Sequence, residues 1–353
     1  MLARTDYMIH SLDDNLKMIE YNLHSPAGFA KNTVPWYQFL MTSVLKCKGN
    51  FGHFEANKIS KRFALVIVHA MEEYEKMYKT TNTKALFIVF DGNPKLINIR
   101  PIMIDIFKQG RIAIKRTFSE MAKLIKVDDE NRLFVDGSEI SVVFNGTTGN
   151  AESYFRDDNW HSVIRPIEFS RAVKSPDMGQ VLANFKKVQQ YFTQTQNFLE
   201  EFNDFDSCLE MRKAMIGTFD LNDRNLALEV LQEPENFVLK SAFGEGGGHC
   251  LFDDDLKEKV RSWLNEWDQS RQERAQFVVM QKIRPPTHEN WSVAGGGKMR
   301  QGQFVAEVGF FGTLLAVDGR VLSNDYIGTY VRNKLDSENE IGCGNVSSLI
   351  IED

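Results

Sequence analysis

The sequence predicts a mixed α/β protein that contains a small parallel α/β domain. Between residues 85 and 144, short apolar segments typical of buried strands alternate with segments typical of helices, which favours a parallel sheet with helices packed on it. Later in the chain, a glycine-rich stretch follows an apolar strand segment near residue 240. An Asp-Gly pair near residue 318 separates two long strand segments, which predicts a β-hairpin.

The first predicted strand, 18–22, carries two oxygen-bearing side chains, Glu20 and Asn22. Because alternate residues of a strand lie on the same face, these side chains could share a metal ion, although an exposed polar face gives the same pattern. Helices are predicted over residues 36–47 and 54–77, the second with an apolar stripe. The alternating region then has predicted strands at 85–90, 112–114, 133–135 and 140–144 and helices at 96–107 and 119–125.

The clearest amphipathic pattern covers residues 181–202 and predicts one continuous helix. Lys186 and Lys187 lie near its start, where lysines usually form a solvated face. Another helix is predicted over 253–267, with three acidic residues in its first turn that suit the helix dipole. Further strands are predicted over 277–283, 304–317 and 321–332.

The glycine-rich stretch has the chemistry of an anion site. A buried strand is predicted at 237–239, and Lys240 follows it as a point charge suited to phosphate oxygens. Glu245 could hold Mg²⁺, and the amides of the next three residues can approach an anion closely because they carry no Cβ; these are Gly246, Gly247 and Gly248. A flexible turn between two strands is the alternative. The stretch matches neither a Walker loop nor a dinucleotide fingerprint.

Composition excludes several classes of protein. The 353 residues suffice for two or three domains, and a net charge of −6 argues against a nucleic-acid partner. The four cysteines are scattered, which argues against a disulfide framework or a zinc site and fits a reducing compartment. The longest apolar run, 63–71, is too short to span a bilayer, and the first residues show no signal-peptide pattern.

Nine segments occur in the order found in one known family. They are Arg4-Thr-Asp-Tyr-Met8, Ile19-Glu-Tyr-Asn22, Lys115-Arg-Thr-Phe118 with Arg132-Leu-Phe-Val-Asp-Gly137, Asn184-Phe-Lys-Lys-Val-Gln-Gln190, the stretch from Lys240 to Gly248, Met280-Gln-Lys-Ile283, Glu307-Val-Gly309 and Val331-Arg-Asn-Lys334. On these segments the chain resembles the eukaryotic glutathione synthetase family of ATP-grasp ligases. The likeness begins well inside the family's usual length, so about a quarter of a full-length member is expected to precede Met1.

The resemblance implies an ATP-grasp α/β fold and an ATP- and Mg²⁺-dependent ligase. In this family ATP phosphorylates the carboxylate of γ-glutamylcysteine, and the amine of glycine attacks the acyl phosphate to give glutathione, ADP and phosphate. The implied organisation is a catalytic region of residues 1–81 and 188–353, with an inserted substrate-binding α/β domain at 82–187. A cytoplasmic homodimer without nucleic-acid or membrane partners is expected, although an upstream signal peptide stays open.

The resemblance also implies roles for individual residues. The Mg²⁺ ligands would be Glu20, Asn22 and Glu245. The ATP-binding residues would be Lys186, Lys240 and Lys334 at the phosphates or the nucleotide, Gly246, Gly247 and Gly248 in the lid, Met280, Gln281, Lys282 and Ile283 at adenine, and Glu307 at ribose. Arg4 and Arg332 would act catalytically near the reacting carboxylate. Substrate contacts would come from Arg4, Ser25, Arg156 and Arg332.

Several positions depart from the family pattern. The family's Ser-x-Ser appears as Ser25-Pro-Ala27, and residues that grip the γ-glutamyl end align with Asn93, Lys95 and Ile99. The family's substrate arginine aligns with Gly146, unless an insertion has displaced it to Arg156. Nucleotide positions also change, to Cys250 and Phe252, and the closing alanine-rich loop reads Ile341-Gly-Cys-Gly-Asn345. A different acyl or amine substrate, or a non-catalytic nucleotide-binding protein, therefore remain alternatives.

Overall fold

The computed structural model describes residues 1–23, 58–91, 96–146, 158–194, 205–242, 250–293 and 299–337. The chain forms two compact units. The first contains Met1–Arg4, Asn22–Val181 and Phe310–Tyr330, and the second contains Thr5–Tyr21, Leu182–Gly309 and Val331–Asp353. The helix predicted at 36–47 and the first residues of the one predicted at 54–77 lie outside the described ranges.

The strands of the described residues are β1 (Leu2–His10), β2 (Asn15–Asn22), β3 (Lys84–Val89), β4 (Ile112–Thr117), β5 (Ile125–Val127), β6 (Leu133–Val135), β7 (Ser138–Asn145), β8 (Val173–Ser175), β9 (Thr218–Phe219), β10 (Phe237–Ser241), β11 (Cys250–Leu251), β12 (Phe277–Gln281), β13 (His288–Val293), β14 (Met299–Val317) and β15 (Arg320–Leu335). The helices are α1 (Ile59–Tyr78), α2 (Leu96–Lys108), α3 (Phe118–Leu124), α4 (Asp158–Phe169), α5 (Met178–Ala183), α6 (Lys186–Gln194), α7 (Phe205–Ala214), α8 (Arg224–Gln232), α9 (Asp253–Asn265) and α10 (Arg271–Arg274). None of these helices combines the length and the hydropathy needed to span a bilayer.

One sheet has the strand order β13-β14-β1-β2, and β15 also pairs with β14. The turn between β14 and β15 consists of Asp318 and Gly319, whose φ angles of 48° and 76° are both positive. A two-residue turn of this kind matches the twist of the strands it joins. The hairpin predicted from the Asp-Gly pair is therefore confirmed.

The first unit contains a six-stranded mixed sheet with the order β4-β3-β7-β6-β5 and with β8 paired to β7. The predicted parallel part is confirmed, because β3 pairs in parallel with β4 and β7, and β7 pairs in parallel with β8. An antiparallel extension, β5-β6-β7, completes the sheet. Its connections are too short for parallel crossovers, and a tight turn at Asp136 and Gly137 links β6 to β7.

The central strand β3 is buried on both faces. Phe87 and Val89 face an apolar core that includes residues of α1 and α2, whereas Leu86 and Ile88 face a second core that includes residues of α3 and α4. Strands covered by helices on both sides read as continuous apolar runs, and this is why the strand was predictable from sequence. The structure thus confirms helices and strands in alternation around this sheet.

The second unit contains the antiparallel sheet β11-β10-β12-β9. Leu239 of β10 and Val279 of β12 pair directly, and both pack in a core with Trp263 of α9. The strands predicted at 237–239 and 277–283 and the helix predicted at 253–267 are confirmed, with ends that differ by a few residues.

The prediction of one helix over 181–202 is wrong. Two short helices, α5 and α6, replace its first half, and residues 195–204 lie outside the described ranges. The helix restarts at Lys186 because the backbone N–H of this residue donates to the carbonyl of Ala242, at 3.0 Å, and not to an earlier residue of the same helix. The first N–H groups of a helix have no partner inside it and accept such an external one.

Candidate nucleotide and metal site

An ion pair links β2 to the start of α6 in the second unit. The Nζ atom of Lys186 lies 2.5 Å from Oε2 of Glu20. The main-chain bond from Lys186 to Ala242 connects the same turn of α6 to the segment just after β10, the strand that carries Lys240. Two of the residues assigned to ATP phosphates and one assigned to Mg²⁺ are thus brought together.

Lys240 is a buried cation. Only 9% of the surface of Lys240 is exposed, and its ammonium group forms no ion pair with any residue of the described ranges. Burial lowers the pKa of Lys240, and the positive charge of Lys186 lowers it further, while Glu20 and Glu307 act in the opposite direction. An ammonium group held in this way is stabilised by an incoming anion.

Lys186 responds differently to the same surroundings. Burial alone would lower the pKa of Lys186, but the charge of Glu20 and the hydrogen bond to it outweigh burial, and the pKa is raised. Lys186 is therefore a fully charged lysine at neutral pH. Of the two lysines, Lys240 is the one whose charge is short of compensation.

A second charged group lies in the same unit. Arg332 of β15 donates to Glu307 of β14 through Nε at 2.5 Å, and its Nη2 lies 3.4 Å from Oδ2 of Asp6 in β1. Asp6 is fully buried and Glu307 is 5% exposed. Burial raises the pKa of Glu307 to about 7, and the charges of Asp6 and Glu20 add to the rise, whereas Arg332 opposes it.

These two groups form one electrostatic unit, which we call the charged cluster. It consists of three carboxylates and three cations, namely Asp6, Glu20, Glu307, Lys186, Lys240 and Arg332. The charge of Glu20 reaches Lys240 and Glu307 as well as Lys186. The cluster thus contains equal numbers of acidic and basic side chains, but no carboxylate of the described residues forms an ion pair with Lys240.

Sequence reasoning missed Asp6. Its motif, Arg4-Thr-Asp6, was recognised, but the segment was not predicted as a strand. In β1 the buried positions alternate through Leu2, Arg4 and Asp6, so polar residues occupy the face that would otherwise be apolar. Polar residues at buried strand positions were the available signal, and they are typical of functional sites.

The predicted adenine segment lies at the end of β12. The N–H of Gln281 donates to the carbonyl of Gly217 at 2.9 Å, and the N–H of Lys282 donates to that of Asn236 at 2.8 Å. The Nζ atom of Lys282 lies 3.2 Å from Oδ1 of Asp253. Two amides of the segment are therefore used within the protein. Met280 is buried in the sheet, and Ile283 follows the strand.

The remaining predicted site residues comprise some outside the described ranges, two in the first unit, and Lys334 in the second unit. Ser25, Arg156, Glu245, Gly246, Gly247 and Gly248 lie outside the described residues. Arg4 and Asn22 belong to the first unit. Lys334 stands two residues after Arg332 in β15, so the two side chains leave the same strand face.

Two of the positions that depart from the family pattern are described. Ile99 is 4% exposed and packs in the apolar core of the first unit. The N–H of Gly146 donates to the carbonyl of Ile88 at 2.9 Å, directly after β7. Neither residue offers a charged side chain to a dipeptide substrate, and Ile99 has no polar group in its side chain at all.

The two polar side chains near the end of β2 offer oxygen donors of the chemical type that Mg²⁺ prefers. Glu20 and Asn22 supply oxygen atoms from alternate positions of one strand, and hard oxygen donors are the ligands that Mg²⁺ prefers. Within the described residues no group of three or more His, Cys, Asp and Glu side chains could hold a metal ion. An ion bound through one carboxylate and one amide needs further oxygens, which nucleotide phosphates commonly provide.

Comparison with known proteins identifies the family. A family model described as the ATP-binding domain of eukaryotic glutathione synthase matches residues 1–350. Human glutathione synthetase is 30% identical over 345 residues, a match that covers 94% of this chain and 70% of that protein. The chloroplastic glutathione synthetase of Arabidopsis thaliana is 26% identical, with 97% of this chain and 62% of that protein covered.

A solved structure shows the same fold. The apo form of a glutathione synthetase-like effector from Globodera pallida matches with a TM-score of 0.73 and 22% identity, over 95% of this chain and 73% of that one. The α/β ATP-grasp fold class predicted from the sequence is confirmed. The chain belongs to the eukaryotic glutathione synthase family.

Proposed function

We propose that the protein is an ATP- and Mg²⁺-dependent carbon–nitrogen ligase that activates a carboxylate as an acyl phosphate and transfers the acyl group to a small amine. The observation that carries this proposal is the buried, uncompensated ammonium group of Lys240 next to the Lys186–Glu20 ion pair. The phosphates of a nucleotide would supply the negative counter-charge that no ion pair provides to Lys240 within the described residues. Family membership supports the same chemistry.

In the proposed site, Lys186 and Lys240 bind phosphate oxygens, while the segment from Met280 to Ile283 contacts adenine. The N–H groups of Gln281 and Lys282 already donate to carbonyls within the protein. Adenine would therefore contact carbonyl oxygens of this segment and the backbone of Ile283. Lys334 would approach the nucleotide from β15, and Gly246, Gly247 and Gly248 would cover the phosphates. Excluding water matters because an acyl phosphate hydrolyses readily.

Glu20, Asn22 and Glu245 would hold Mg²⁺, which when bound neutralises phosphate charge and orients the transferring group. Glu307 is the proposed ribose acceptor. Arg332 donates to Glu307, so in this proposal its guanidinium would lie beside the nucleotide, where Arg332, together with Arg4, would steady the reacting carboxylate. Arg332 stays charged at all physiological pH values and so stabilises negative charge that develops during transfer.

The proposed acyl substrate is a dipeptide that resembles γ-glutamylcysteine, and the amine is glycine or another small amine. Ser25 and Arg156 are the remaining substrate residues of this proposal, and residues 82–187 are the proposed substrate-binding domain. A homodimer in the cytoplasm is proposed as the working form. A different acyl substrate is the second candidate, because Ile99 lies in an apolar core and Gly146 has no side chain to offer.

The test is a product assay with the full chain and saturating Mg·ATP. Formation of ADP together with a peptide product from γ-glutamylcysteine and glycine would support the proposal. ADP formation only with other acids or amines would favour the second candidate. Nucleotide binding without turnover across a panel of acids and amines would favour a non-catalytic nucleotide-binding protein.

A further inference from the structure

We propose that Cys250 is a reactive thiol of the charged cluster that forms a mixed disulfide with small anionic disulfides and thereby competes with nucleotide phosphates. The thiol part of this proposal stands alone, and the competition part rests on the proposed nucleotide site. The reagent class is a low-molecular-weight disulfide that carries carboxylates, such as glutathione disulfide.

The position of Cys250 follows from strand pairing. Lys240 of β10 lies directly opposite Cys250 of β11 in an antiparallel ladder, with Leu239 opposite Leu251. Residues directly opposite each other project from the same face of a sheet, with Cβ atoms about 4.5–5.5 Å apart. The thiol therefore leaves the sheet beside the ammonium-bearing side chain of Lys240.

The burial of Lys240 without an ion pair among the described residues indicates independently that an anion binds beside Cys250. Lys240 is 9% exposed and has no ion pair within the described part of the chain. The sulfur of Cys250 also lies close enough to influence both lysines, since its charge raises the pKa of Lys240 and that of Lys186. Two nearby ammonium groups stabilise a thiolate, which is the nucleophilic form of cysteine.

Accessibility separates Cys250 from the other cysteine in the described ranges. Cys250 is partly exposed at the end of a two-residue strand, whereas Cys208 of α7 is only 7% exposed. A buried thiol reacts slowly because the reagent cannot reach its sulfur. Cys208 therefore serves as an internal reference for modification.

The reaction balances without a further oxidant. The Cys250 thiolate attacks one sulfur of the disulfide, a new sulfur–sulfur bond forms, and the original one breaks. The second half of the reagent leaves as a thiolate and takes a proton from water. The carboxylates of the attached half would then lie against Lys240 and Lys186, where nucleotide phosphates are proposed to bind.

The experiment measures modification of each cysteine by peptide mapping after timed exposure to glutathione disulfide, and compares initial rates with an anionic and a neutral aromatic disulfide. We expect Cys250 to react at least about tenfold faster than Cys208 and to prefer the anionic reagent. Lys240→Met should abolish that preference. Lys187→Met is the matched control, because Lys187 lies in the first turn of α6, next to Lys186, but pairs with Asp220 at 3.4 Å.

If Lys240→Met does not fold, the salt dependence of the parent protein replaces it. Added salt should slow the anionic reagent and leave the neutral one unchanged. Equal rates for Cys250 and Cys208, or a preference that survives the loss of Lys240 or added salt, would overturn the thiol site.

Mg·ATP should slow the modification of Cys250 and leave Cys208 unaffected. If calorimetry detects nucleotide binding but Cys250 is not protected, the competition part of the inference is wrong. If calorimetry detects no nucleotide binding while lysine-dependent modification persists, the proposed nucleotide site fails and the reactive thiol stands.

Discussion

The Nζ atom of Lys186 lies 2.5 Å from Oε2 of Glu20, so a proposed phosphate ligand and a proposed metal ligand are bonded to each other. With Glu20 as the proposed Mg²⁺ ligand, the ion and the Lys186 ammonium group would compete for the same carboxylate. Their competition leads to opposite effects on metal and nucleotide when Lys186 is replaced.

We predict that Lys186→Met strengthens binding of Mn²⁺, used as a spectroscopic substitute for Mg²⁺, in the absence of nucleotide, because Glu20 is released from its ion pair. The same variant should bind ATP more weakly, because a phosphate contact is lost. Electron paramagnetic resonance of free Mn²⁺ and calorimetry with ATP measure the two effects. Lys187→Met is the control and should change neither. Weaker Mn²⁺ binding in Lys186→Met would contradict the competition.

We predict that Lys240→Ala weakens binding of Mg·ATP by about 2–4 kcal/mol, roughly 30- to 1,000-fold in Kd, because a desolvated phosphate loses its charged partner. Calorimetry of the variant and the parent measures the difference. The unfolding midpoint is expected to stay the same or rise, since Lys240 is a buried cation without an ion pair among the described residues. An unchanged Kd would remove Lys240 from the phosphate site.

We predict that Glu245→Gln raises the Mg²⁺ concentration needed for half-maximal turnover, since the variant leaves the ion with one carboxylate fewer. The fold should be unaffected, as judged by circular dichroism and the unfolding midpoint. Glu289→Gln, at an exposed position of β13, is a suitable control. An unchanged Mg²⁺ titration would place Glu245 outside the metal site.

Glu307 should make the protein less stable as pH rises. Burial raises the pKa of Glu307 from 4.5 to about 7. Between these values the folded state keeps a proton that the unfolded state has lost, so the free energy of unfolding falls with increasing pH, by up to about 3 kcal/mol from this residue. Glu307→Gln should flatten the fall between pH 5 and about 7. Urea unfolding across this range measures it, and a variant with the parent's slope would contradict the assignment.

We predict that kcat/KM for γ-glutamylcysteine is one to three decades lower, as an order of magnitude, than for a full-length family member. The γ-glutamyl end carries a carboxylate and an ammonium group, and both need partners once they leave water. The described residues aligned with the family's partners are the buried Ile99 and the backbone of Gly146. Steady-state kinetics at saturating Mg·ATP decide the matter. Comparable values would indicate that Arg156 has taken over the role.

Much of the fold could be predicted because its strands are apolar and its turns carry specific residues. Leu86 to Val89 form a continuous apolar run, which predicts a buried strand. Asp318-Gly319 predicts the turn between β14 and β15. The prediction of one helix over 181–202 is wrong because the apolar periodicity of the sequence continues across Phe185. The break in the helix depends on a main-chain hydrogen bond from Lys186 to Ala242, which is far away in sequence. Periodicity contains no information about such a distant acceptor.

The candidate site was predictable in its residues and not in its contacts. Resemblance pointed to Glu20, Lys186, Lys240, Glu307 and Arg332. That Glu20 pairs with Lys186, and Arg332 with Glu307 and Asp6, depends on how the strands and α6 come together within the second unit. Asp6 escaped prediction because a carboxylate at a buried strand position breaks the apolar alternation on which strand prediction relies.

The bond between the N–H of Lys186 and the carbonyl of Ala242 joins two backbone atoms, so it does not depend on which side chains occupy these positions. The distance between the two cationic positions can therefore persist while the sequence around them drifts. Only proline at 186 would remove the donor outright. Substitutions of the substrate-facing side chains therefore leave this main-chain link between the two lysine-bearing segments intact.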